Sequence, residues 1–145
     1  MSIPIIRKYQ KVTRNGVSEE KYIAKVYLQN VVSLEDLAEL VNESSTISKG
    51  DFIAAMTECA HQVGILLGEG HPVDLGDLGR LYPAIDAKSC DTVEEVTPKS
   101  VKNIDILFRA NKNLKEKIRK KGTHLHTNEV FSASRNRRNM KILED

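Results

Sequence analysis

The stretch from Ser48 to Gly70 constrains the fold of this chain more than any other. Phe52, Met56, Cys59, Val63 and Leu66 recur at spacings of 4, 3, 4 and 3, the repeat of one side of an α-helix. Ile53, Ala60 and Leu67 form a second stripe that widens the apolar face. A helix apolar over so much of its girth needs cover, either from its own chain or from a second subunit. Both ends are marked. Ser48 and Asp51 have the spacing of a capping box. Gly70-His71-Pro72 stops the helix near Glu69, because glycine accepts a left-handed cap and proline cannot continue the ladder. Ser33 and Asp36 repeat the box just upstream and open a shorter helix carrying Leu34, Leu37 and Val41.

Strand patterns flank the helices. Polar and apolar residues alternate around Tyr9 to Thr13, break at Arg14-Asn15-Gly16 and resume at Tyr22, Ala24, Val26 and Leu28. This predicts a hairpin turning at Asn15-Gly16, with Tyr22 to Val32 as its better strand. Beyond the long helix, Val73 and Leu75 start a strand, Gly76-Asp77-Leu78-Gly79 makes a tight turn, and Leu81 to Ile85 extends again. Residues 86–103 are polar and read as a loop or projecting arm. Ile104, Ile106 and Phe108 alternate as a strand, and Asn111 to Lys121 reads as a short basic helix. After Gly122 the apolar period is lost, so residues 123–145 read as a mobile basic tail in which Arg135, Arg137 and Arg138 cluster. Phe52 and Phe108 are expected in the core.

The net charge of +2 conceals a segregation. Residues 1–32 sum to +4, residues 33–98 to −10, and residues 99–145 to +8. A middle that repels polyanions is flanked by two segments that attract them. At 145 residues the chain has the size of one domain, which excludes a large multidomain enzyme. No apolar run suits a membrane helix, and Met1 to Gln10 lacks the apolar core of a signal peptide, so the expected address is the cytoplasm. Cys59 and Cys90 are too few for a disulfide framework.

A catalytic reading finds no constellation. Cys59 and His61 are two apart on a helix and point to different faces, and the His124-x-His126 pair is too little for a metal cage. The glycines between Gly68 and Gly79 match no phosphate-binding loop. The acids of the middle segment sit mostly at helix starts or exposed positions, where capping accounts for them without general acid/base chemistry. We therefore expect no enzyme, cofactor, metal or small-molecule substrate.

The order of elements and three motifs resemble the bacterial histone-like family of HU and integration host factor. The similarity is to a divergent, Bacteroides-type branch with an added N-terminal hairpin. Ser48-Lys49-Gly50-Asp51 is similar to the start of the family's long second helix, Val73 to Leu81 to its glycine-bracketed strand, and Phe108 to Lys115 to its closing strand-to-helix motif. Asn111 stands where glycine is usual, as a residue that tolerates left-handed dihedrals.

The resemblance implies an α+β fold of two N-terminal helices packed on a small antiparallel sheet, with a β-arm, a short C-terminal helix and an intertwined homodimer. It divides the chain into a hairpin extension (1–32), an HU-like domain (33–121) and a basic tail (122–145). It also implies DNA-binding positions. Arg80, Arg109, Lys112 and Lys115 match basic sites near the saddle or closing helix. Lys88, Lys99 and Lys102 fall on the arm or its return strand. Arg135, Arg137 and Arg138 add the tail.

The arm departs from the family pattern, since Cys90 to Pro98 replaces the usual Arg-Asn-Pro and brings in Asp91, Glu94 and Glu95. Pro98 reads either as an intercalating wedge or as a loop breaker. The implied function is architectural, largely sequence-independent binding of double-stranded DNA in the nucleoid. The alternative is a dimeric scaffold that has lost DNA bending. Single-stranded nucleic acid ranks behind both, because base stacking needs exposed aromatic rings and the chain has only four Tyr and three Phe.

Overall fold

The computed structural model describes residues 1–131. Its elements in chain order are β1 (Ile3–Arg14), β2 (Val17–Val26), α1 (Leu34–Ser44), α2 (Lys49–Gly68), β3 (Val73–Asp74), β4 (Gly79–Ala87), β5 (Val101–Ala110), α3 (Lys112–Arg119) and β6 (Thr123–Phe131). Two short 3-10 turns, Val93–Glu95 and Pro98–Ser100, lie between β4 and β5. The fold is mixed α+β, but the chain opens on strands. The arrangement of two N-terminal helices on one small sheet therefore does not describe it: β1 and β2 precede both helices, and six strands form two three-stranded sheets.

The chain divides into two compact units, Met1–Asn30 with Ile118–Asp145, and Val31–Lys117. The first is built on the sheet β2-β1-β6. Asn15 and Gly16 take φ of 51° and 78°, the paired positive values of the tight turn their side chains predict. β2 ends at Val26 rather than extending to Val32; the next amide, Tyr27 N–H, donates to Pro4 O. The expectation of a tail beginning at Gly122 fails more plainly. Thr123–Phe131 is a strand running parallel to β1, with Ile3 opposite Thr123 and Lys8 opposite Phe131. Ile6 and Phe131 are buried in this unit, Tyr27 stacks on His126 at 4.0 Å, and Ser2 Oγ is 2.7 Å from His124 Nδ1. Arg135, Arg137 and Arg138 lie outside the described residues.

In the second unit both helices begin where their serines predict. Ser33 Oγ accepts from the Asp36 amide, and the Asp36 carboxylate accepts from both the Ser33 amide and its hydroxyl, a complete capping box. At α2 the Ser48 hydroxyl accepts from the Asp51 amide and donates to the Asp51 carboxylate, so the second box is closed through side chains. The α2 helix ends at Gly68, with Glu69 as its cap. It packs on α1 and on strands of the sheet β3-β4-β5.

The packing leaves much apolar surface uncovered. Only Ala38 and Leu67 are buried hydrophobic residues of this unit. Leu34, Leu37, Met56, Leu66 and Phe108 are exposed, and so is Cys59, which the helical stripe placed in a core. Of the two α2 stripes, the chain covers the one ending at Leu67 better than the one ending at Leu66. Phe52 is half-buried, whereas Phe108, expected in the core, is 49% exposed.

Candidate functional site

The β4–β5 ladder sets the geometry of the expected basic positions. Arg80 pairs directly with Arg109, and Tyr82 with Leu107, so these four side chains share one face of the sheet. Leu81, Phe108, Pro83 and Ile106 occupy the other. The sheet thus brings together two arginines 29 positions apart in sequence.

Their environments differ. Arg80 Nε donates to Asp74 Oδ2 at 2.7 Å, and Asp74 stands opposite it on β3. The Arg109 guanidinium lies over the Tyr82 ring, 5.1 Å from its centroid, a cation–π contact that leaves its charge unneutralised. With Gly76 and Asn111 these residues line one shallow depression.

Asn111 does not adopt the left-handed backbone expected of a glycine substitute; among the described residues Asn15 is the one non-glycine with positive φ. It works instead as a junction. Its side-chain carbonyl accepts from the Asn113 amide at the start of α3. Its side-chain amide donates to Gly76 O, and its backbone N–H donates to Leu78 O. This ties the 76–79 turn to α3 and keeps Arg80 beside Arg109.

The Arg80 guanidinium and the Gly76 amide, both donating to it, hold the Asp74 carboxyl below its ordinary value. A lowered pKa means that the contact persists above the ordinary carboxylate range and is lost only as pH falls through the depressed value. In a carboxyl NMR titration Asp74 should protonate below the ordinary aspartate value, and substituting Arg80 by Gln should raise it toward that value.

The remaining cations are more dispersed. Lys112 Nζ is 3.9 Å from Glu116 Oε1. Lys88, Lys99, Lys102 and Lys115 are exposed and make no ion pair among the described residues. Lys88 follows β4 and Lys99 lies in the second 3-10 turn. Lys102 occupies the irregularity where Ala87 pairs with Val101 and Asp86 with Asn103. Pro98 opens the second turn, and with Ile85, Val101 and Ile104 it lines a shallow apolar depression. The sequence did not point to Tyr82. The signal was present in the hairpin register, since the pairing that opposes Arg80 to Arg109 also puts residue 82 on that face. Among the described residues no group of three or more His, Cys, Asp or Glu could hold a metal ion, and no helix is long and apolar enough to cross a membrane.

The division into units sharpens the charge segregation. The strand-built unit holds thirteen basic and five acidic residues, the helical unit nine basic and fifteen acidic, giving +8 against −6. Topology contributes to this, because β6 carries the basic run Arg119-Lys120-Lys121 into the same unit as the basic hairpin.

Two helices capped in tandem, a glycine-bracketed strand pair and a closing basic helix define an HU-like module, here accompanied by a strand-built unit. The chain belongs to the HU-HIG family, described as an HU domain fused to a winged helix-turn-helix, Ig or glycine-rich motif, whose pattern matches residues 1–125. No curated protein matches. Among solved structures, the chain is similar in fold to a protein of Bacteroides vulgatus ATCC 8482 described as a candidate bacterial DNA-binding protein. Their TM-score is 0.55 at 14% identity, over 90% of this chain and 50% of that one. The present chain thus spans half the length of that protein.

Proposed function

We propose that this chain is a non-enzymatic, largely sequence-independent binder of double-stranded DNA that acts in the nucleoid as a homodimer. The observation that carries this reading is the partition of charge, +8 against −6, between the two units. A polyanion is drawn to the strand-built unit and to the cations at one end of the β4–β5 sheet, and is repelled by the acidic helical surface. Membership of an HU-type family and the likeness to a candidate DNA-binding protein support duplex DNA as that polyanion. A cation set dominated by lysine, with few residues apt for reading bases, favours backbone neutralisation over sequence readout. Arg109, over the Tyr82 ring and without an acidic partner among the described ion pairs, is free to meet a phosphate. Arg80 must exchange Asp74 for a phosphate.

Mobility assays on linear, nicked and pre-bent duplexes across a salt series test this. If six to ten phosphates are neutralised, affinity falls by roughly 10³ to 10⁵ between 50 and 200 mM salt. Failure to bind any duplex at low salt would end the proposal. A chain ending at Phe131 isolates the contribution of residues 132–145 while keeping β6; ending it at Lys121 would remove the strand.

The acids of the arm favour a second reading, a dimeric scaffold that has lost DNA bending. Asp91, Glu94 and Glu95 are exposed between β4 and β5, where a phosphate backbone would be repelled. Replacing all three by Lys strengthens duplex binding if the arm approaches DNA, and leaves it unchanged if the arm serves a protein partner.

A further inference from the structure

The β1–β2 register places Arg7, Tyr9 and Lys11 directly opposite Ala24, Tyr22 and Glu20, so these six side chains share one face of the strand-built sheet. The Tyr9 and Tyr22 rings meet at 5.8 Å between centroids and 59° between planes. A cross-strand tyrosine pair of this kind helps hold a hairpin together. That role accounts for the contact but not for the exposure: Tyr22 keeps 67% of its surface in solvent. Along β1, Arg7 and Lys11 are exposed about 7 Å to either side of Tyr9. Glu20 is the acid on this part of the face. Its carboxylate accepts the Tyr9 hydroxyl, which pushes Tyr9 up to about 12 and keeps that ring neutral.

An aromatic face bracketed by cations, on a unit of +8 charge, matches a nucleic acid whose bases are unpaired. Every base offers a π-face to a tyrosine ring, and the backbone needs only nearby cations. A duplex hides those faces within its stack and offers edges and phosphates instead. We infer that this face of the β1–β2 hairpin binds single-stranded nucleic acid, with an unpaired base stacked on Tyr22 and the flanking phosphates held by Arg7 and Lys11. The site lies on the strand-built unit to which the duplex reading above also draws a polyanion, but it rests on the Tyr22 ring, which that reading does not use.

The full chain should be titrated against a labelled oligothymidylate of about 20 nucleotides and, separately, against a mixed-sequence duplex of the same length. The chain contains no tryptophan, so its tyrosine emission, corrected for absorption by thymine and compared with that of Tyr22→Ala, reports stacking on Tyr22. Tyr22→Ala should weaken single-strand binding about 5- to 150-fold, the loss of one stacked base, and leave duplex binding within about twofold. Tyr22→Phe, which keeps the ring, should retain single-strand affinity. The inference is overturned if the oligothymidylate leaves tyrosine emission unchanged, if Tyr22→Ala binds the single strand as tightly as the native chain, or if Tyr22→Phe is as impaired as Tyr22→Ala. Duplex binding without single-strand binding removes this inference alone; single-strand binding without duplex binding removes the duplex reading alone.

Discussion

Replacing Gly79 by alanine should lower the melting temperature by about 10–15 °C, a loss on the order of 3 kcal/mol. Gly79 begins β4 with φ of 137°, a conformation that L side chains rarely adopt and whose strain alone is of order 1–3 kcal/mol. Space compounds the strain. A Cβ at this position would run into the backbone carbonyl of Arg109 and approach Ala110 Cα at 2.8 Å, atoms of the neighbouring strand that no side-chain rotation can move. The ladder must part where Gly79 pairs with Ala110, one residue from the Arg80–Arg109 pair. The same variant should therefore weaken duplex binding, which couples a backbone requirement to the site. Gly50→Ala is the control: no atom lies within 4 Å of its added Cβ, and in the first turn of α2 alanine stabilises by up to about 1 kcal/mol. Thermal unfolding of the two variants checks the contrast, and equal melting temperatures would refute the strained-strand account.

Features set by contacts within a few residues were legible in the sequence. Ser33 with Asp36 and Ser48 with Asp51 specify helix starts because each box is completed within three positions. Asn15-Gly16 specifies a turn because those residues tolerate positive φ. Long-range pairing was not legible. The β6 strand, with His, Thr and Asn among its residues, has no apolar alternation of its own, and among the described residues it pairs along one edge with β1, about 120 positions away. Reading it as a tail followed from the missing period, and the error also concealed how the C-terminal cations join the N-terminal hairpin. The site was legible in part. Arg80 and Arg109 are singled out by resemblance, but Asp74 and Tyr82 matter through register, which places one beside Arg80 and the other beneath Arg109. Asn111 was found for the wrong reason, as a tolerant glycine substitute rather than a hydrogen-bonded junction.

If the chain acts as the homodimer proposed above, Phe108→Ala should weaken self-association by about 10²- to 10⁴-fold, because in that assembly a second copy covers this side chain. Phe108 lies on the sheet face with Leu81, Pro83 and Ile106, away from the arginines, and is 49% exposed there. Leu34, Leu37, Met56 and Leu66 are exposed in the same unit, whose buried hydrophobic residues are Ala38 and Leu67 alone. Closing this aliphatic surface against an identical copy would contribute about 25 cal/mol per Å² buried, which favours the homodimer over a lone chain. A homodimer built this way couples folding to association, so its melting temperature rises with protein concentration. In a monomer, truncating a half-exposed Phe would lose only part of the 3–5 kcal/mol typical of a buried one, and concentration would have no effect. Sedimentation equilibrium of the native chain and of Phe108→Ala distinguishes the cases. A native monomer at tens of micromolar, with a concentration-independent melting temperature, would exclude the dimer and require another cover for the Leu66 stripe of α2.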